Sequence, residues 1–323
     1  MNFTPLDNKG TVEGFFIIKS VDKKTSSKGD AYLDIMLADS SGEINAKLWN
    51  YSEAAYGEYA ANELVKVRGT VSVYSGKDQL RIDRIRTTNA ADNVRPEDFV
   101  KTADYSGDAM YEELVRTASS FEDGDLKKLV LYMLEQNRTA LLYWPAAFKL
   151  HHAVRGGLLM HTLSIVRLCQ AVSKIYLFVD SDLLIAGAIL HDIAKLTEFE
   201  VGDTGIASGY TVKGNLIGHL AEGAMMVRKA SEQLGIPQEK SMLIEHMLLS
   251  HHGEPEYGAA VRPMFIEAEL LSELDMLDAR MYEMHEAVEG TAANDFTGKL
   301  WALDNRKLYN HGRSEIENKT KLM

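Results

Sequence analysis

Residues 186–195 read AGAILHDIAK, an apolar run that stops abruptly at His191 and Asp192. Lys195 follows about one helical turn later. The small and aliphatic residues before His191 are expected to be buried, and a carboxylate at the inner end of a buried helix is costly unless a cation lies near it. Neighbouring residues on an α-helix point about 100° apart. One ion can therefore contact both side chains only if it lies against the helix between them, and the stretch predicts such a site.

The distribution of histidines points to the same kind of site. Eight of the ten histidines fall between His151 and His252. Further candidate groups lie in helix-periodic segments: His161 in LLMHTL, His219 in NLIGHLAEG, His251 and His252 in LLSHHGE, and Asp275 and Asp278 in LSELDMLDAR. For any one of them a hydrogen-bonded core histidine is the ordinary alternative, but the whole set favours a one- or two-ion centre in a helical bundle. Nitrogen and oxygen donors without cysteine suit manganese, iron, zinc or magnesium better than a soft metal.

The first part of the chain has a different periodicity. Up to about Thr88 the pattern has period two, as in AYLDIML (residues 31–37), and turn residues such as SSGE (40–43) and SGKD (75–78) separate the runs. Four or five short antiparallel strands in fewer than a hundred residues predict a small closed barrel, which leaves no strand edge exposed.

The order of these strands, the Gly42-Glu43 turn and the YSGKDQL hairpin resemble an OB-fold. Barrels of that kind bind single strands through aromatic side chains that stack on bases and basic side chains that follow phosphates. Six side chains are candidates for contact with nucleic acid: Tyr32, Lys47, Trp49, Tyr74, Lys77 and Arg81. Strand aromatics also fill cores and surfaces, and such barrels also bind sugars and proteins, so these alternatives stay open.

The predicted fold class is α+β with more than one domain. A small antiparallel β-barrel at 1–90 and a polar linker at 91–107 precede an all-α bundle at 108–305, where apolar residues recur every three or four positions. Asp180 and Pro237 are typical helix starts, and Gly235 and Gly253 are typical helix stops.

Charge is distributed unevenly along the chain. The net charge of −12 argues at first against nucleic acid as a partner. Residues 1–90 are neutral, whereas residues 91–305 carry 18 basic and 33 acidic side chains, so the acidity lies where carboxylates can hold metal. Most of those carboxylates belong to a solvated surface. A basic tail at 306–323 can add phosphate contacts, although a solvated terminus is the ordinary alternative; its cations are Arg306, Lys307, Arg313, Lys319 and Lys321.

Composition and cysteine usage indicate a globular, cytoplasmic protein. The 323 residues are 46% hydrophobic and 25% charged, enough for two domains with separate cores. Cys169 is the single cysteine, which excludes an intramolecular disulfide and fits a reducing compartment. The opening MNFTPLDNKG has no signal-peptide pattern. The longest apolar run, Leu183 to Leu190, is too short to cross a membrane.

The pattern HT…HDIAK…GH…HH…D resembles the HD-domain superfamily of metal-dependent phosphohydrolases. With a barrel in front of it, the chain is similar over nearly its whole length to the YhaM-type 3′-to-5′ exoribonucleases. The stretches that carry this resemblance are LHHAVRGGLLMHTLSIV, AGAILHDIAKLTEF, IGHLAEGA and LLSHHGEPEYGAAVRPMFIEAELLSELDMLDARM. It implies release of nucleoside 5′-monophosphates from a single-stranded 3′ end with a divalent ion. Manganese is preferred, with iron, magnesium, zinc or cobalt as alternatives.

The resemblance also implies roles for individual residues. The metal positions of the family fall on His161, His191, Asp192 and Asp275, with His219 and His251 for a second ion. Lys195 matches the lysine that contacts the phosphate. Ala194 replaces the usual glycine and Leu274 replaces a smaller residue, but neither change removes a ligand.

The implied reaction is metal-assisted hydrolysis of a phosphodiester, with Asp192 holding the ion that activates water. Lys195 neutralises charge that grows on the phosphate. Either His219 or His252 protonates the departing ribose oxygen, because imidazole titrates near neutral pH. Four residues before the first motif helix are candidates for the substrate entrance, with an ordinary loop and turn as the alternative: His151, His152, Gly156 and Gly157.

Other functions and partners stay open at this stage. A nucleotide phosphohydrolase or a cyclic-nucleotide phosphodiesterase on the same scaffold would need no barrel to hold a strand. A non-catalytic nucleic-acid-binding protein with a structural metal would not need Lys195. Single-stranded RNA is the expected partner and single-stranded DNA the alternative, since contacts to the 2′-hydroxyl cannot be located in a sequence. A homo-oligomer is compatible with the family, although no coiled-coil heptad points to it.

Overall fold

The computed structural model describes residues 3–5, 10–39, 41–74, 76–148 and 152–313. Contacts between backbone positions divide the chain into two compact units. The first unit comprises Met1–Thr102 and Val201–Ser208, and the second comprises Ala103–Glu200 and Gly209–Met323. Three predicted functional residues lie outside the described residues: His151, Lys319 and Lys321.

The first unit contains a closed five-stranded barrel. The short strand β1 (Thr4–Pro5) pairs with the outside of the ring. The five barrel strands are β2 (Thr11–Thr25), β3 (Ala31–Asp39), β4 (Gly42–Trp49), β5 (Leu64–Tyr74) and β6 (Lys77–Thr87), with the short helix α1 (Glu53–Tyr56) between β4 and β5. The sheet order is β1-β2-β3-β4-β6-β5, and pairing of β2 with β5 closes the barrel. The β4–β6 pair is parallel and the other pairs are antiparallel. This architecture confirms the small barrel that the sequence predicts.

The period-two pattern decides which side chains fill the barrel. In β3 the aliphatic residues Leu33, Ile35 and Leu37 are buried, while the residues between them face outwards and are half-buried. The same alternation in the neighbouring strands completes a core that includes Phe16, Ile18, Ile44, Leu48, Val65, Val67 and Leu80. At Gly69 a β-carbon would lie 2.2 Å from the carbonyl oxygen of Arg81, so only glycine fits at this β-bulge.

Asp34, on the outer face of β3, holds two lysines. Its carboxylate lies 2.5 Å from Lys47 Nζ and 2.7 Å from Lys24 Nζ, and Asn45 Nδ2 donates to it at 2.7 Å. Burial raises the pKa of the Asp34 carboxyl, but these donors outweigh burial and lower the pKa below its usual range. Near pH 4 and below, the unfolded chain therefore binds more protons than the folded chain. The stabilisation by Asp34 is complete above the pKa of this carboxyl in the unfolded chain, about 3.9, and it is lost as the pH falls below that value.

Replacing Asp34 with asparagine is expected to lower the melting temperature of the barrel at pH 7 by up to about 4 °C, a modest value because water screens partly exposed pairs. The difference from the wild type should shrink below about pH 4. Differential scanning calorimetry of the full chain between neutral and acid pH measures it. Asp22→Asn is the matched control, because Asp22 is 67% exposed and lies 3.8 Å from Lys24. Equal losses in both variants would contradict the assignment.

The second unit is built from helices, as the sequence predicts. Its helices are α2 (Gly107–Ser119), α3 (Gly124–Leu141), α4 (Gly157–Ile175), α5 (Ser181–Leu190), α6 (Lys195–Glu198), α7 (Val212–Leu234), α8 (Gln238–Ser250) and α9 (Ile266–Glu289). A short strand pair joins β7 (Phe199–Val201) with β8 (Ala207–Tyr210), and the second unit also contains the pair of β9 (Asp295–Phe296) with β10 (Tyr309–Asn310). Within the described ranges, no helix combines the length and apolar character needed to cross a membrane.

Helix α5 lies in the interior of the second unit. It begins at Asp180, whose side chain accepts a hydrogen bond from Leu183 N. All residues from Leu183 to Leu190 are buried. Because α5 ends at Leu190, the next two residues, His191 and Asp192, lie inside the unit with almost no exposure to solvent.

Helix α7 is interrupted one residue before His219. Gly218 has φ 74° and ψ 162°, a conformation outside the helical region that glycine adopts without strain. A side-chain contact between Lys213 and Glu222 spans the interruption. His219 therefore begins a new helical segment rather than continuing the previous turn.

Candidate metal centre

Six predicted metal ligands come together in the second unit. They are contributed by five helices or helix ends: His161 by α4, His191 and Asp192 by the end of α5, His219 by α7, His251 by the end of α8, and Asp275 by α9. With the neighbouring His252, these residues form overlapping groups in which all ligand atoms lie within 4.8 Å of one another: His161, His191 and Asp192; His191, His251 and Asp275; and His219, His251 and His252.

One carboxylate oxygen of Asp192 faces the first cluster of donors. Asp192 Oδ2 lies 3.3 Å from His191 Nε2 and 3.6 Å from His161 Nε2. Asp275 Oδ1 lies 3.0 Å from His161 Nε2 and 4.0 Å from His191 Nε2. Two imidazole nitrogens and two carboxylate oxygens therefore surround one point, a donor set that suits a divalent ion.

The other oxygen of Asp192 faces a second pair of imidazoles. Asp192 Oδ1 lies 3.4 Å from His219 Nε2 and 3.7 Å from His251 Nε2. These three atoms are buried and have no hydrogen-bond partner among the described residues. Buried polar atoms are almost always satisfied, so three unsatisfied atoms that converge on one point fit a cation between them.

The orientation of each imidazole is fixed at its Nδ1 atom. His191 Nδ1 donates to Ala188 O at 2.8 Å, and His251 Nδ1 donates to Leu248 O at 2.9 Å. Because a carbonyl oxygen can only accept, the proton of each neutral ring is on Nδ1 and the lone pair is on Nε2. Both lone pairs point into the centre, as ligation of a metal requires.

Carboxylates orient the other two imidazoles in the same way. His161 Nδ1 lies 2.8 Å from Asp278 Oδ2, and His219 Nδ1 lies 2.9 Å from Glu198 Oε1. A carboxylate on the far nitrogen of a metal-binding histidine fixes its tautomer and raises its basicity. The residues present therefore fit one or two divalent ions.

Charges inside the centre shift its pKa values. Burial raises the pKa of the Asp192 carboxyl, but the neighbouring Lys195 ammonium and His191 hold it well below the usual range. Burial lowers the pKa of Lys195, but Asp192 outweighs burial, and the pKa of the ammonium lies above its usual value. Burial lowers the pKa of His161, whereas hydrogen bonds to Asp275 and Asp278 raise it to about 10. The carboxylates are thus ionised and available to a cation.

Lys195 lies at the edge of the centre. Its Nζ atom is 2.6 Å from Asp192 Oδ2, and its backbone carbonyl accepts a hydrogen bond from Trp144 Nε1 at 2.9 Å. His252 is half-buried, and its Nδ1 atom lies 3.0 Å from Tyr257 O. Burial and the neighbouring His219 lower the pKa of His252. Both side chains adjoin the metal positions, and their catalytic roles stay predictions.

His152, Gly156 and Gly157, the described residues of the predicted entrance, have structural roles. His152 is buried, and its Nε2 atom lies 2.9 Å from Asp278 Oδ2, the same oxygen that His161 contacts. Gly156 has φ 74°, and a β-carbon at Gly157 would lie 2.0 Å from His152 O. His152 thus helps to hold Asp278, the residue that orients His161. A place for these residues in a substrate entrance stays a prediction.

The predicted contacts of the barrel lie on the neighbouring strands β3, β4 and β6 and at the end of β5. The rings of Tyr32 and Trp49 lie opposite each other with centroids 4.5 Å apart, and Trp49 is 41% exposed. Lys47 and Arg81 are paired in register across β4 and β6. Because Lys47 is bound to Asp34, it is not an uncompensated cation.

The two remaining candidates lie at the β5–β6 hairpin. Tyr74 and Lys77 are opposite each other in register, and both line an open groove of about 820 Å³ on the barrel. The six candidates therefore share one side of the barrel or its rim, and their contact with a strand stays a prediction.

Sequence reasoning assigned no role to Glu198. Its Oε1 atom accepts hydrogen bonds from His219 Nδ1 at 2.9 Å and from His219 N at 3.2 Å. The second bond caps the helical segment that begins after Gly218. Because Glu198 belongs to α6 and His219 to α7, no spacing along one helix signals this pair.

Glu198→Ala is expected to lower turnover or metal affinity on the order of 10- to 100-fold, because the His219 ring loses the acceptor that orients it. Glu198→Gln keeps an oxygen at this position and should restore most of the loss. The measurement is kcat as a function of metal concentration, which separates weaker metal binding from slower chemistry. Glu239→Ala, at an exposed position at the start of α8, is the control. Turnover and metal affinity unchanged in Glu198→Ala would refute a positioning role.

The helical fold and this cluster define an HD domain, and the HD domain family model matches residues 158–280. The 3′-5′ exoribonuclease YhaM of Listeria innocua serovar 6a is 36% identical over 300 residues, which cover 93% of this chain and 95% of that protein. The protein of the same name from Bacillus subtilis (strain 168) is 35% identical over 298 residues, covering 92% and 94%. The chain belongs to the YhaM family of HD-domain exoribonucleases.

Two solved structures are similar to part of the chain. The second OB-fold domain of replication protein A from Methanococcus maripaludis is 20% identical over 25% of this chain and 84% of that chain, with a TM-score of 0.20. A replication protein A heterotrimer bound to ssDNA is 16% identical over 26% of this chain and 61% of that chain, with a TM-score of 0.22.

Proposed function

We propose that the protein is a 3′-5′ exoribonuclease that hydrolyses single-stranded RNA from its 3′ end to nucleoside 5′-monophosphates. The observation that carries the proposal is the position of Asp192, whose two carboxylate oxygens each face a different pair of imidazole Nε2 atoms. Each oxygen would help to hold one divalent ion, and two such ions would supply Lewis-acid chemistry for in-line displacement at phosphorus. Membership of the YhaM family supports the polarity and the substrate class.

Two sets of residues would hold the ions. His161, His191, Asp192 and Asp275 would hold one ion, and His219 and His251 with the second oxygen of Asp192 would hold the other. Manganese is proposed because the donors are imidazole and carboxylate; iron, magnesium, zinc or cobalt remain the alternatives. A divalent ion held there would supply Lewis-acid chemistry, which lowers the pKa of water and offsets charge on phosphate oxygens.

The side chains around these positions would stabilise charge on the phosphate and protonate the leaving oxygen. Lys195 keeps its proton because of Asp192, and its ammonium stabilises charge that develops on the non-bridging oxygens of the phosphate. His219 Nε2 points at Asp192 Oδ1, which favours a ligand role for His219. His252, which adjoins the metal positions, is therefore the better candidate for protonating the ribose oxygen that leaves.

The barrel is proposed to hold the strand during successive cleavages. A groove that binds several bases keeps the 3′ end near the hydrolytic centre through a raised effective concentration. The Tyr32–Trp49 ring pair offers a surface for base stacking, and Arg81 and Lys77 offer cations for phosphates. A duplex end should resist hydrolysis, because its bases are not free to stack on these rings.

The test is incubation with manganese and a 5′-labelled single-stranded oligoribonucleotide, in parallel with nucleoside triphosphates and cyclic nucleotides. A ladder that shortens from the 3′ end, with nucleoside 5′-monophosphates as products, is expected. Hydrolysis confined to mononucleotides would instead assign the chain to the nucleotide phosphohydrolases. A deoxyribonucleotide strand of the same sequence tests whether single-stranded DNA is also a substrate.

Cellular location and assembly belong to the same proposal. The single buried Cys169 fits the reducing conditions of the cytoplasm. A homo-oligomer is proposed from the family resemblance alone. Light scattering of the purified protein measures its mass, and a monomer at all concentrations would remove this part of the proposal.

A further inference from the structure

A short hairpin near the end of the described chain exposes three aromatic rings. This aromatic hairpin comprises residues 294–313 and contains β9, β10 and a turn closed by the Leu300–Arg306 bridge. Trp301 is 76% exposed, Phe296 58% and Tyr309 47%. Large apolar side chains exposed within one short hairpin mark a candidate interaction surface.

The rings are arranged as a surface that flat groups can stack on. Phe296 and Tyr309 are opposite each other in register across β9 and β10, so both project from the same face of the ribbon. Their centroids lie 5.0 Å apart with an angle of 46° between the planes. Trp301 lies in the short helical turn between the two strands.

Cations are interleaved with these aromatic residues. Lys299 precedes Trp301 by two positions, and Lys307 precedes Tyr309 by two positions. Both lysines are exposed, and within the described ranges neither makes an ion pair. With Arg306 and Arg313 the hairpin has four cations against the carboxylates of Asp295 and Asp304, whereas most of the second unit is acidic.

We propose that the aromatic hairpin is a second binding site for single-stranded RNA, separate from the barrel and from the metal centre. This inference rests on the proposed exoribonuclease function. Bases stack on Trp301 and on the Phe296–Tyr309 pair, and the lysines contact the phosphates between them. Aromatic rings alternating with cations are the combination that sequence-independent single-strand binding requires.

The composition favours a strand over a protein partner. The centres of protein interfaces are depleted in lysine, whereas every ring of this hairpin has a cation within a few residues. The loop at residues 175–178 provides a contrast, because its four exposed apolar residues, Ile175, Tyr176, Leu177 and Phe178, are consecutive and have a single cation, Lys174, beside them. That loop is an apolar surface, and the hairpin is an aromatic and basic one.

The site predicts a dependence on strand length and on salt. A strand long enough to occupy both the barrel and the aromatic hairpin should bind more tightly than a short one. Binding at one site raises the effective concentration of the same strand at the other. Each lysine that contacts a phosphate should contribute about 0.7 to the slope of log affinity against log salt concentration.

The experiment measures binding of a 30-nucleotide fluorescein-labelled oligoadenylate to the full chain by anisotropy, with EDTA present to prevent turnover. Trp301→Ala is expected to weaken binding on the order of 10-fold, and Trp301→Phe should restore most of it. Lys299→Ser with Lys307→Ser should reduce the salt slope. Phe178→Ala and Lys229→Ser are matched controls, since both positions are exposed and lie outside the hairpin. Hydrolysis of bis(p-nitrophenyl) phosphate, which has no base to stack, should be the same in all variants.

Two outcomes overturn the proposal. Affinity and salt slope equal to the wild type in the hairpin variants would exclude a strand-binding site. If the hairpin variants differ from the wild type in molar mass by light scattering, while their RNA affinity is unchanged, the surface joins copies of the chain. If the wild type shortens RNA while Trp301→Ala binds it normally, only the hairpin site is refuted. If the wild type neither binds nor shortens RNA, the exoribonuclease assignment is refuted as well.

Discussion

Replacing Asp192 with asparagine is expected to abolish hydrolysis of RNA while leaving oligonucleotide affinity nearly unchanged. The two oxygens of Asp192 face four imidazole Nε2 atoms, and asparagine replaces one oxygen with an amide nitrogen that cannot ligate a cation. The substitution also removes the carboxylate that lies 2.6 Å from Lys195 Nζ. The loss of kcat should be at least about 10³-fold, at the upper end of the effect of removing one preorganised electrostatic group.

Single-turnover hydrolysis and anisotropy binding on the same preparation separate the two effects. Asp125→Asn is the control, because Asp125 also pairs with a lysine, Lys240, which keeps Asp123 as a second partner. Cleavage that survives in Asp192→Asn at more than a tenth of the wild-type rate would make the catalytic assignment wrong. A parallel loss of RNA affinity would mean that Asp192 supports the fold rather than the chemistry.

The sequence pointed to these donors because each lies within a helix-periodic segment or directly follows an apolar run. His161 and Asp275 lie where apolar residues recur every three or four positions, and His191 follows an apolar run that is expected to be buried. His191 Nε2 and Asp192 Oδ2 are 3.3 Å apart, and the expectation that one ion lies between these two side chains stays a prediction. Local periodicity therefore carries information about which side chains face inwards.

Partners contributed by a different element could not be predicted in this way. Glu198 orients His219 across two helices, and Asp278 accepts from His152 and His161 on one oxygen. Spacing indicated only that Asp275 and Asp278 share a face of α9, not which imidazole each would contact. These contacts depend on how helices cross, and a one-dimensional pattern does not encode crossing angles.

The barrel shows the same limit. Alternation predicted which residues of β3 are buried, but the pairing of Lys47 with Asp34 depends on the register between β3 and β4. A lysine that looked available to phosphate in the sequence is bound to a carboxylate in the folded chain. The aromatic hairpin was missed because β9 and β10 have only two residues each, too few for any period to be recognised.

The second large effect is expected from the metal itself. Treating the protein with a chelator should abolish hydrolysis and lower the melting temperature, and manganese should restore both. At manganese concentrations about 100-fold above the dissociation constant, ligand binding adds roughly 2.7 kcal/mol to the free energy of unfolding, which corresponds to about 5–10 °C for a domain of this size.

The stabilisation follows from three buried atoms that have no hydrogen-bond partner in the described part of the chain: Asp192 Oδ1, His219 Nε2 and His251 Nε2. The two nitrogens lie 3.4 and 3.7 Å from the oxygen, and a cation would satisfy all three atoms at once. His251→Gln removes one donor and should reduce the thermal shift, whereas His311→Gln, at an exposed position of the aromatic hairpin, should leave it unchanged. Calorimetry at graded manganese concentrations measures the shift in each variant. An equal shift in His251→Gln and in the wild type would mean that manganese stabilises the chain from some other site, and the two-ion arrangement would have to be abandoned even if hydrolysis required metal.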